Sequence, residues 1–493
     1  MKLLKINPSD NVAVALCALA AGEIASVDGG DIPIREAVAA GHKVALSPIC
    51  AGQTVIKYGN PIGQATREIA LGETVHTHNL KTGLEKLLDY TYTPQRRAVA
   101  PRAPGVFQGY RRPDGRVGVR NEVWILPTVG CVNSTIAALE KEAQALCADR
   151  IDGIYAFPHP YGCSQLGEDH ENTRRALAGL AGHPNAGGVL VVGLGCENNT
   201  VAGMRELLGD CDKERVRFLV TQDCGDEFAE GLALLRELAD YAARFEREPI
   251  PMSELVVGLK CGASDGFSGI TANPLVGAFT DRLVAEGGSA ILTEVPEMFG
   301  AETILMNRCR TPEVFDQTVR LINDFKSYFI ESGQDIYENP SPGNKAGGIS
   351  TLEDKSLGCI QKGGSSDVVA VLGYGEPVRE KGLNLLTGPG NDLVSASSMA
   401  VSGAHIIFFT TGRGTPFGSP VPTVKISSNT PLFARKPAWI DFDAGRLLDG
   451  VPMETLADRL YEYTRSLASG ETRAKNEIHG AREFAIFKTG VTL

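Results

Sequence analysis

A chain of 493 residues carries more than one hydrophobic core usually serves, so two or three domains are expected. Its formal charge of −11 argues against nucleic acid or an anionic membrane surface as a partner, since both favour basic patches. No stretch of about 18 apolar residues occurs, which excludes a bilayer-spanning helix. An acidic total still allows an anionic small substrate, because a site needs only local positive charge.

The start, MKLLKINPSDNVAVALCALAAGE, meets Asn7, Pro8 and Asp10 before its apolar part. It reads as the first strand and helix of a domain, not an export signal, and so points to a cytoplasmic protein. Eleven cysteines in such a chain are expected as reduced thiols, and an odd number fits poorly with a complete disulfide framework. Cys17, Cys147, Cys211 and Cys309 read as buried small hydrophobes.

Residues 1–90 hold short β-like runs (25–27, 43–46, 54–57, 74–76) between Gly, Pro and Asp turns, as in a small mostly-β module. Residues 91–112 carry three prolines and five arginines without apolar periodicity and read as a linker. From 121 the rhythm changes. Strand-like runs at 123–126, 153–157, 188–192, 216–220 and 255–259 alternate with helical stretches, of which 134–147 and 226–247 are clearest. Such alternation implies parallel sheets covered by helices. After a break at 248–253 it continues with longer loops: strand 290–293, helix 312–331, a Gly-rich stretch 340–364, strand 405–410 and a helix at 453–467. The expectation is a multidomain α/β protein, with a middle domain at 113–250 and a C-terminal domain at 251–493.

Four cysteines each follow an apolar strand: Cys131 in WILPTVGC, Cys163 in YAFPHPYGC, Cys196 in VLVVGLGC and Cys261 in LVVGLKCG. Loops at the carboxyl ends of parallel strands form the ligand crevice of α/β sheets, so thiols placed there can converge. Thiolates suit iron, iron–sulfur centres or zinc. The C-x₂-C spacing of a structural zinc knuckle is missing. In the HTHN run, His76 and His78 share one face if the segment is extended, a rival metal or anion site. His42-Lys43 can present a cation. His159, four residues before Cys163, is placed for general acid or base work.

Arg120-Asn121 precedes the 123 strand, Lys345 sits in NPSPGNKAGG and Arg413 in TTGRGTP; all are candidates for holding an acid group. Glu294 and Glu297, beyond the 290 strand, are candidate bases or metal ligands. Neither a P-loop nor the dinucleotide fingerprint is present, so no nucleotide cofactor is expected.

These runs together resemble the altronate/galactarate dehydratase family. The matching segments include GHKVAL, VHTHN, GVRNEVWILPTVGCVN, YGCSQLGEDH, GLGCENN, CGASDGFSGITANP, TEVPEMFGAE, NPSPGNKAGGISTLEDKSLG, TTGRGTP and PAWIDFDAG, in order along nearly the whole chain. YGNPIG, VGVRNE and YENPSPGNKAGG resemble the altronate branch more than the galactarate branch. The resemblance implies an N-terminal SAF-type module, two α/β domains, and conversion of D-altronate to 2-keto-3-deoxy-D-gluconate plus water in hexuronate catabolism. It also implies ferrous iron.

Placement then suggests iron, as one ion or a cluster, on Cys131, Cys163, Cys196 and Cys261 or on three of them. His76 and His78 are the rival ligands, His159 or Glu294 the proton-transfer group, and Arg120, Asn121, Lys345 and Arg413 the substrate-orienting residues. Galactarate or a related 2-hydroxy acid such as sulfolactate is the alternative substrate, and a non-catalytic sugar-acid binder the more distant reading. Homo-oligomerisation is left open.

Overall fold

A computed structural model of the chain describes residues 2–84, 87–97, 99–146 and 150–490; Cys147 lies outside them. The N-terminal module is built from a four-stranded antiparallel sheet ordered Leu3–Leu4, Val12–Ala15, Lys43–Ala45, Thr74–Val75. A hairpin, Ile24–Val27 with Gly30–Pro33, and a three-stranded sheet of Thr54–Lys57, Asn60–Ala65 and Leu80–Lys81 complete it. The helix expected after the first strand does not form. Instead Leu19 bridges Val38, and Ala13, Ala15 and Leu19 pack into the module's own small core. There the alternation of VAVA, with period two, overrides the helix propensity of the alanines.

The middle sheet is parallel, ordered Gly153–Ala156, Glu122–Pro127, Ala186–Gly193, Val216–Val220. Its two central strands are buried along their whole length, because helices cover both faces. Helices Asn133–Ala143 and Glu227–Ala242 pack on one face through Ile136, Leu139, Leu235 and Leu238. Helix Gly167–Ala181 packs on the other, where Leu177 and Leu180 join a core shared with the C-terminal domain.

The second of these helices stops short of the expected 247. Residues Arg247–Pro251 are instead a strand that pairs with Val106–Arg111. Pro249 and Pro251 cannot continue a helix. The 91–112 stretch is thus not a free linker: besides that strand, Tyr92 Oη donates to Cys309 O (2.6 Å) and Gln95 N to Asn307 O (2.7 Å).

The C-terminal sheet is also parallel, with seven strands ordered Val368–Leu372, Leu383–Leu386, Ser289–Leu292, Val256–Cys261, Ile406–Thr411, Thr423–Ser427, Phe442–Asp443. Two joints weld the parts together. Between the middle and C-terminal domains, Arg120 forks onto Glu477 (2.7 and 2.9 Å) and Arg482 pairs with Glu122 (2.8 Å), all four side chains buried. Between the module and the C-terminal domain, Ile49, Val55 and Ile62 share one apolar core with Leu352 and Leu357. Beside that core, Lys43 and Lys57 both reach the Asp354 carboxylate, at 2.8 and 2.9 Å, and none of the three is open to water.

Removing one charge from a buried network leaves its partners uncompensated, at a cost of about 3–5 kcal/mol. Asp354→Asn is therefore expected to lower the free energy of urea unfolding by that order, with a lower midpoint, and to speed proteolysis between the module and the middle domain. A midpoint equal to the parent's would show that the docking does not depend on this carboxylate.

Candidate active site

Two neighbouring strands of the C-terminal sheet end side by side. Val256–Cys261 delivers Lys260 and Cys261, while the turn after Ser289–Leu292 delivers Glu294 and Glu297. Glu294 adopts φ 67°, a left-handed conformation that costs a non-glycine residue about 1–3 kcal/mol. That turn sends its carboxylate back toward the first strand. It pairs with Lys260, accepts from the Cys261 N–H (3.1 Å) and receives Lys362 at 3.2 Å.

Helix Leu352–Cys359 supplies the opposite wall. Thr351 caps it by accepting from Asp354 N, and every one of its residues is buried. Lys355 and Cys359, four apart, lie on the same face, and Lys362 follows one turn later. Glu297 binds them: Oε1 accepts from Lys355 Nζ (2.8 Å), and Oε2 from the thiols of Cys261 and Cys359 (3.1 Å each). The two sulfurs are 3.3 Å apart.

Burial opposes every charge here, so the ionised groups survive only by facing one another. Burial also works against the Lys260 ammonium, but Glu294, Asp392 and Glu297 hold it charged. Desolvation likewise disfavours ionised Glu297, yet Lys355, Lys260 and Lys362 pull its carboxyl far below the usual range. For Glu294 burial wins, and its carboxyl rises above the usual value in spite of Lys260 and Lys362. The hydrogen bond with Cys261, then burial, lifts the Cys359 thiol well above its ordinary value.

Three ammoniums (Lys260, Lys355, Lys362) therefore meet three carboxylates (Glu294, Glu297 and Asp392, the last 2.9 Å from Lys260). Neutral thiols leave the cluster balanced. Cys261, Glu297 and Cys359 bring ligand atoms within 4.8 Å of one another. A soft divalent ion suits two sulfurs and an oxygen, and on binding it would displace two thiol protons, leaving the charge balance unchanged.

The module forms the outer wall. His76 Nε2 meets Lys345 O at 2.9 Å, His42 lies edge-on to the His76 ring at 5.0 Å, and Arg413 donates to Gly343 O (3.0 Å). Burial, helped by the charges of Lys43 and His42, brings His76 down to about 4. Burial brings Lys43 down to about 8, because Asp354 is shared with Lys57. His76 Nδ1, Ser264 Oγ and Ser356 Oγ are buried without a partner, as expected where a ligand or water docks.

Profiles of three domains match in sequence: "Altronate/galactarate dehydratase SAF domain" over residues 1–83, "D-galactarate dehydratase/Altronate hydrolase, second domain" over 109–243, and "D-galactarate/Altronate dehydratase, C-terminal" over 252–492. The chain is 53% identical to the altronate dehydratase of Escherichia coli K12, covering 100% of both chains. It is 52% identical to that of Bacillus subtilis 168, covering 99% of both. The galactarate dehydratase (L-threo-forming) of Escherichia coli K12 is 32% identical over 98% of this chain and 96% of that one. The chain belongs to the altronate/galactarate dehydratase family.

Within this family member, the residues singled out from sequence are dispersed. Glu294, Glu297 and Cys261 stand in the buried cluster, whereas Arg413 bonds Gly343 O and Lys345 meets His76 through its carbonyl. Cys131, Cys163 and Cys196 are exposed at the carboxyl edge of the middle sheet, so they do not share one ion with buried Cys261. Arg120 and Asn121 are not substrate ligands. They precede a parallel strand, at the edge opposite the crevice, where Arg120 is locked to Glu477 and Asn121 bonds Arg112 and Ala242 O.

His159 is also spent on structure: Nε2 bonds Pro127 O (2.8 Å) and Nδ1 accepts from Tyr161 N (3.2 Å). His76 and His78 do not pair, because the strand ends at Val75 and residues 76–79 turn; His78 lies instead with exposed Glu36 and half-buried Glu73. Among the cysteines read as buried, Cys309 is, but Cys17 is exposed and Cys211 half-buried. Lys260, Lys355, Cys359 and Lys362 escaped the sequence reading. The trace they leave is LEDKSLGC, a helix that is fully buried although Glu353, Asp354 and Lys355 follow one another in it.

The His159 imidazole is held neutral by burial, which depresses it from 6.5 to about 4. Below pH 6.5 the unfolded chain binds a proton that the folded chain refuses, so stability falls as pH drops from 6.5 toward 4. A depression of this size corresponds to about 3 kcal/mol. His159→Gln, which retains a donor for Pro127 O, should flatten the pH dependence of urea unfolding by that order across this window. An equally steep profile would mean that His159 is not buried neutral.

Proposed function

We propose that the chain is a ferrous-iron-dependent hydro-lyase that converts D-altronate to 2-keto-3-deoxy-D-gluconate and water. What carries the choice of substrate is the match to two altronate dehydratases at 52–53% identity over full length, against 32% for the galactarate enzyme. The chemistry follows from the cluster. Dehydrating a 2,3-dihydroxy acid removes a weakly acidic proton from C2 and expels hydroxide from C3, giving an enol that tautomerises to the 2-keto acid.

Glu294 is the base. Its raised carboxyl brings it nearer the working pH than an ordinary glutamate, and its Oε atoms already manage protons from Lys260 and Lys362. Lys260 Nζ, paired at the mouth with half-exposed Asp392, holds the proton that the departing hydroxyl takes. Lys345 and Arg413 on the outer wall orient the substrate carboxylate. Cys261, Glu297 and Cys359 would hold the iron, which when bound supplies Lewis acidity for charge developing on oxygen. Burial of the whole set excludes water and strengthens each electrostatic contact.

The internal cavity lined by Lys57, Asp354, Lys355 and Cys359 measures about 10 Å³, room for roughly one water molecule. That space is far too small for a six-carbon acid, and Asp392 is the most exposed carboxylate of the set.

Keto-acid formation from D-altronate and galactarate, with and without ferrous iron under anaerobic conditions, tests the reading; faster turnover of galactarate would overturn the substrate. Glu294→Gln is expected to lower kcat about 10²–10⁴-fold with little change in KM. Cys359→Ser should lose tight iron binding, and the parent's iron affinity should rise with pH as thiol protons are displaced. Full iron and full activity in Cys359→Ser would exclude this ligand set.

A further inference from the structure

We infer a second, separate iron site at the carboxyl edge of the middle sheet: an iron–sulfur cluster held by Cys131, Cys163 and Cys196. The three thiols follow three adjacent parallel strands, Glu122–Pro127, Gly153–Ala156 and Ala186–Gly193, and all three are exposed and reduced. Their loops are stitched together by backbone N–H donors. Gly130 N donates to Tyr161 O (2.8 Å), Asn199 N to Gly162 O (3.0 Å) and Ser164 N to Asn198 Oδ1 (2.9 Å). At Gly162, φ is 103° and a Cβ would lie 2.0 Å from Thr128 O; a Cβ on Gly130 would lie 2.9 Å from His159 O. Only glycine before Cys131 and Cys163 lets these loops approach so closely.

Glu197, beside Cys196, accepts from Thr128 Oγ1 and from the N–H groups of Leu194 and Gly195, holding the third loop to the first. In the same loops Gln165 Nε2 and Asn199 Oδ1 are unpartnered, on side chains that are 3% and 1% exposed.

Spacing decides the kind of centre. Adjacent strands are about 4.8 Å apart, so thiols following three of them would have to be drawn together to share one ion. Among the described residues these cysteines do not form a group with ligand atoms within 4.8 Å, unlike Cys261, Glu297 and Cys359. A cluster removes that demand, because each thiolate binds a different iron and sulfide fills the space between. Cys224, after the next strand, donates to Thr221 O (3.4 Å) and is left out of the ligand set.

Reconstitution of the full chain with ferrous iron and sulfide under anaerobic conditions tests the site, with iron, acid-labile sulfide and Mössbauer spectra as readouts. The parent is expected to carry about four irons and four sulfides per chain beyond the C-terminal ion. Cys131→Ser, Cys163→Ser and Cys196→Ser should each lose the sulfide, while Cys224→Ser and Cys359→Ser keep it. Parent protein without acid-labile sulfide, or carrying a single zinc on these thiols, overturns the proposal, as does full sulfide in the three variants. Urea unfolding of the metal-free variants separates a lost ligand from a lost fold. Sulfide content and altronate turnover are read separately, so the failure of one reading leaves the other standing.

Discussion

Placing ammoniums, carboxylates and thiols together out of water costs several kcal/mol per ion unless each charge meets its opposite. The C-terminal domain meets that constraint twice on one helix. Lys355, Cys359 and then Lys362 face Glu294 and Glu297, while Asp354, on the same helix, faces Lys43 and Lys57 of the module. One rigid element therefore carries both the reacting constellation and the bond that closes the module over it. Lys57 and Tyr58 line the same small cavity as Lys355 and Cys359. The N-terminal module thus contributes a wall to the proposed active site.

A closed wall has a kinetic consequence. Burial that sharpens the electrostatics of Lys260 and Glu294 also bars a six-carbon acid from reaching them. Asp392 is the point of release: it is the one carboxylate of the set with substantial exposure, its side chain 36% open while Lys260 is wholly buried. The left-handed turn at Glu294 belongs to the same design. A relaxed turn would let the carboxylate swing toward solvent, whereas this one, held by Cys261 N and two lysines, keeps it aimed inward. Strain of this kind persists only where the surroundings over-determine it.

Strand positions were legible because buried parallel strands are continuous apolar runs; 216–220 and the helix 312–331 emerge with the bounds expected. Proline corrected the reading at 249 and 251, where two strands replace the end of a helix and part of a linker. Glycine–cysteine pairs correctly marked strand ends but not which ends meet, since two separate parallel sheets each have their own carboxyl edge. Arg120 misled because an arginine just before a strand looks like an anion ligand, whereas residue order alone places it at the wrong edge. Lys260, Lys355 and Lys362 were invisible for a different reason. A lysine reads as surface until its partner is known, and its partners lie 34, 58 and 68 residues away.

The two sheet edges are joined by the chain's last described segment. Ala485 N donates to Ser397 Oγ on the helix that starts at Asp392, and Phe487 N donates to the Tyr374 hydroxyl (3.0 Å each). Phe484 packs at 6.2 Å against His159, and Thr489 N and Gly490 N both donate to Asp169 (2.8 Å), in the first turn of the helix after Cys163. A single strip of backbone thereby touches the helix beginning at Asp392 and the helix following the Cys163 loop. Because Asp169 is buried and relies on those donors together with Lys488, loosening the strip would uncover a carboxylate in the middle domain and remove the Ser397 bond to the 392–401 helix at once. The His159 ring, bonded at both nitrogens, is the fixed surface against which that strip is laid.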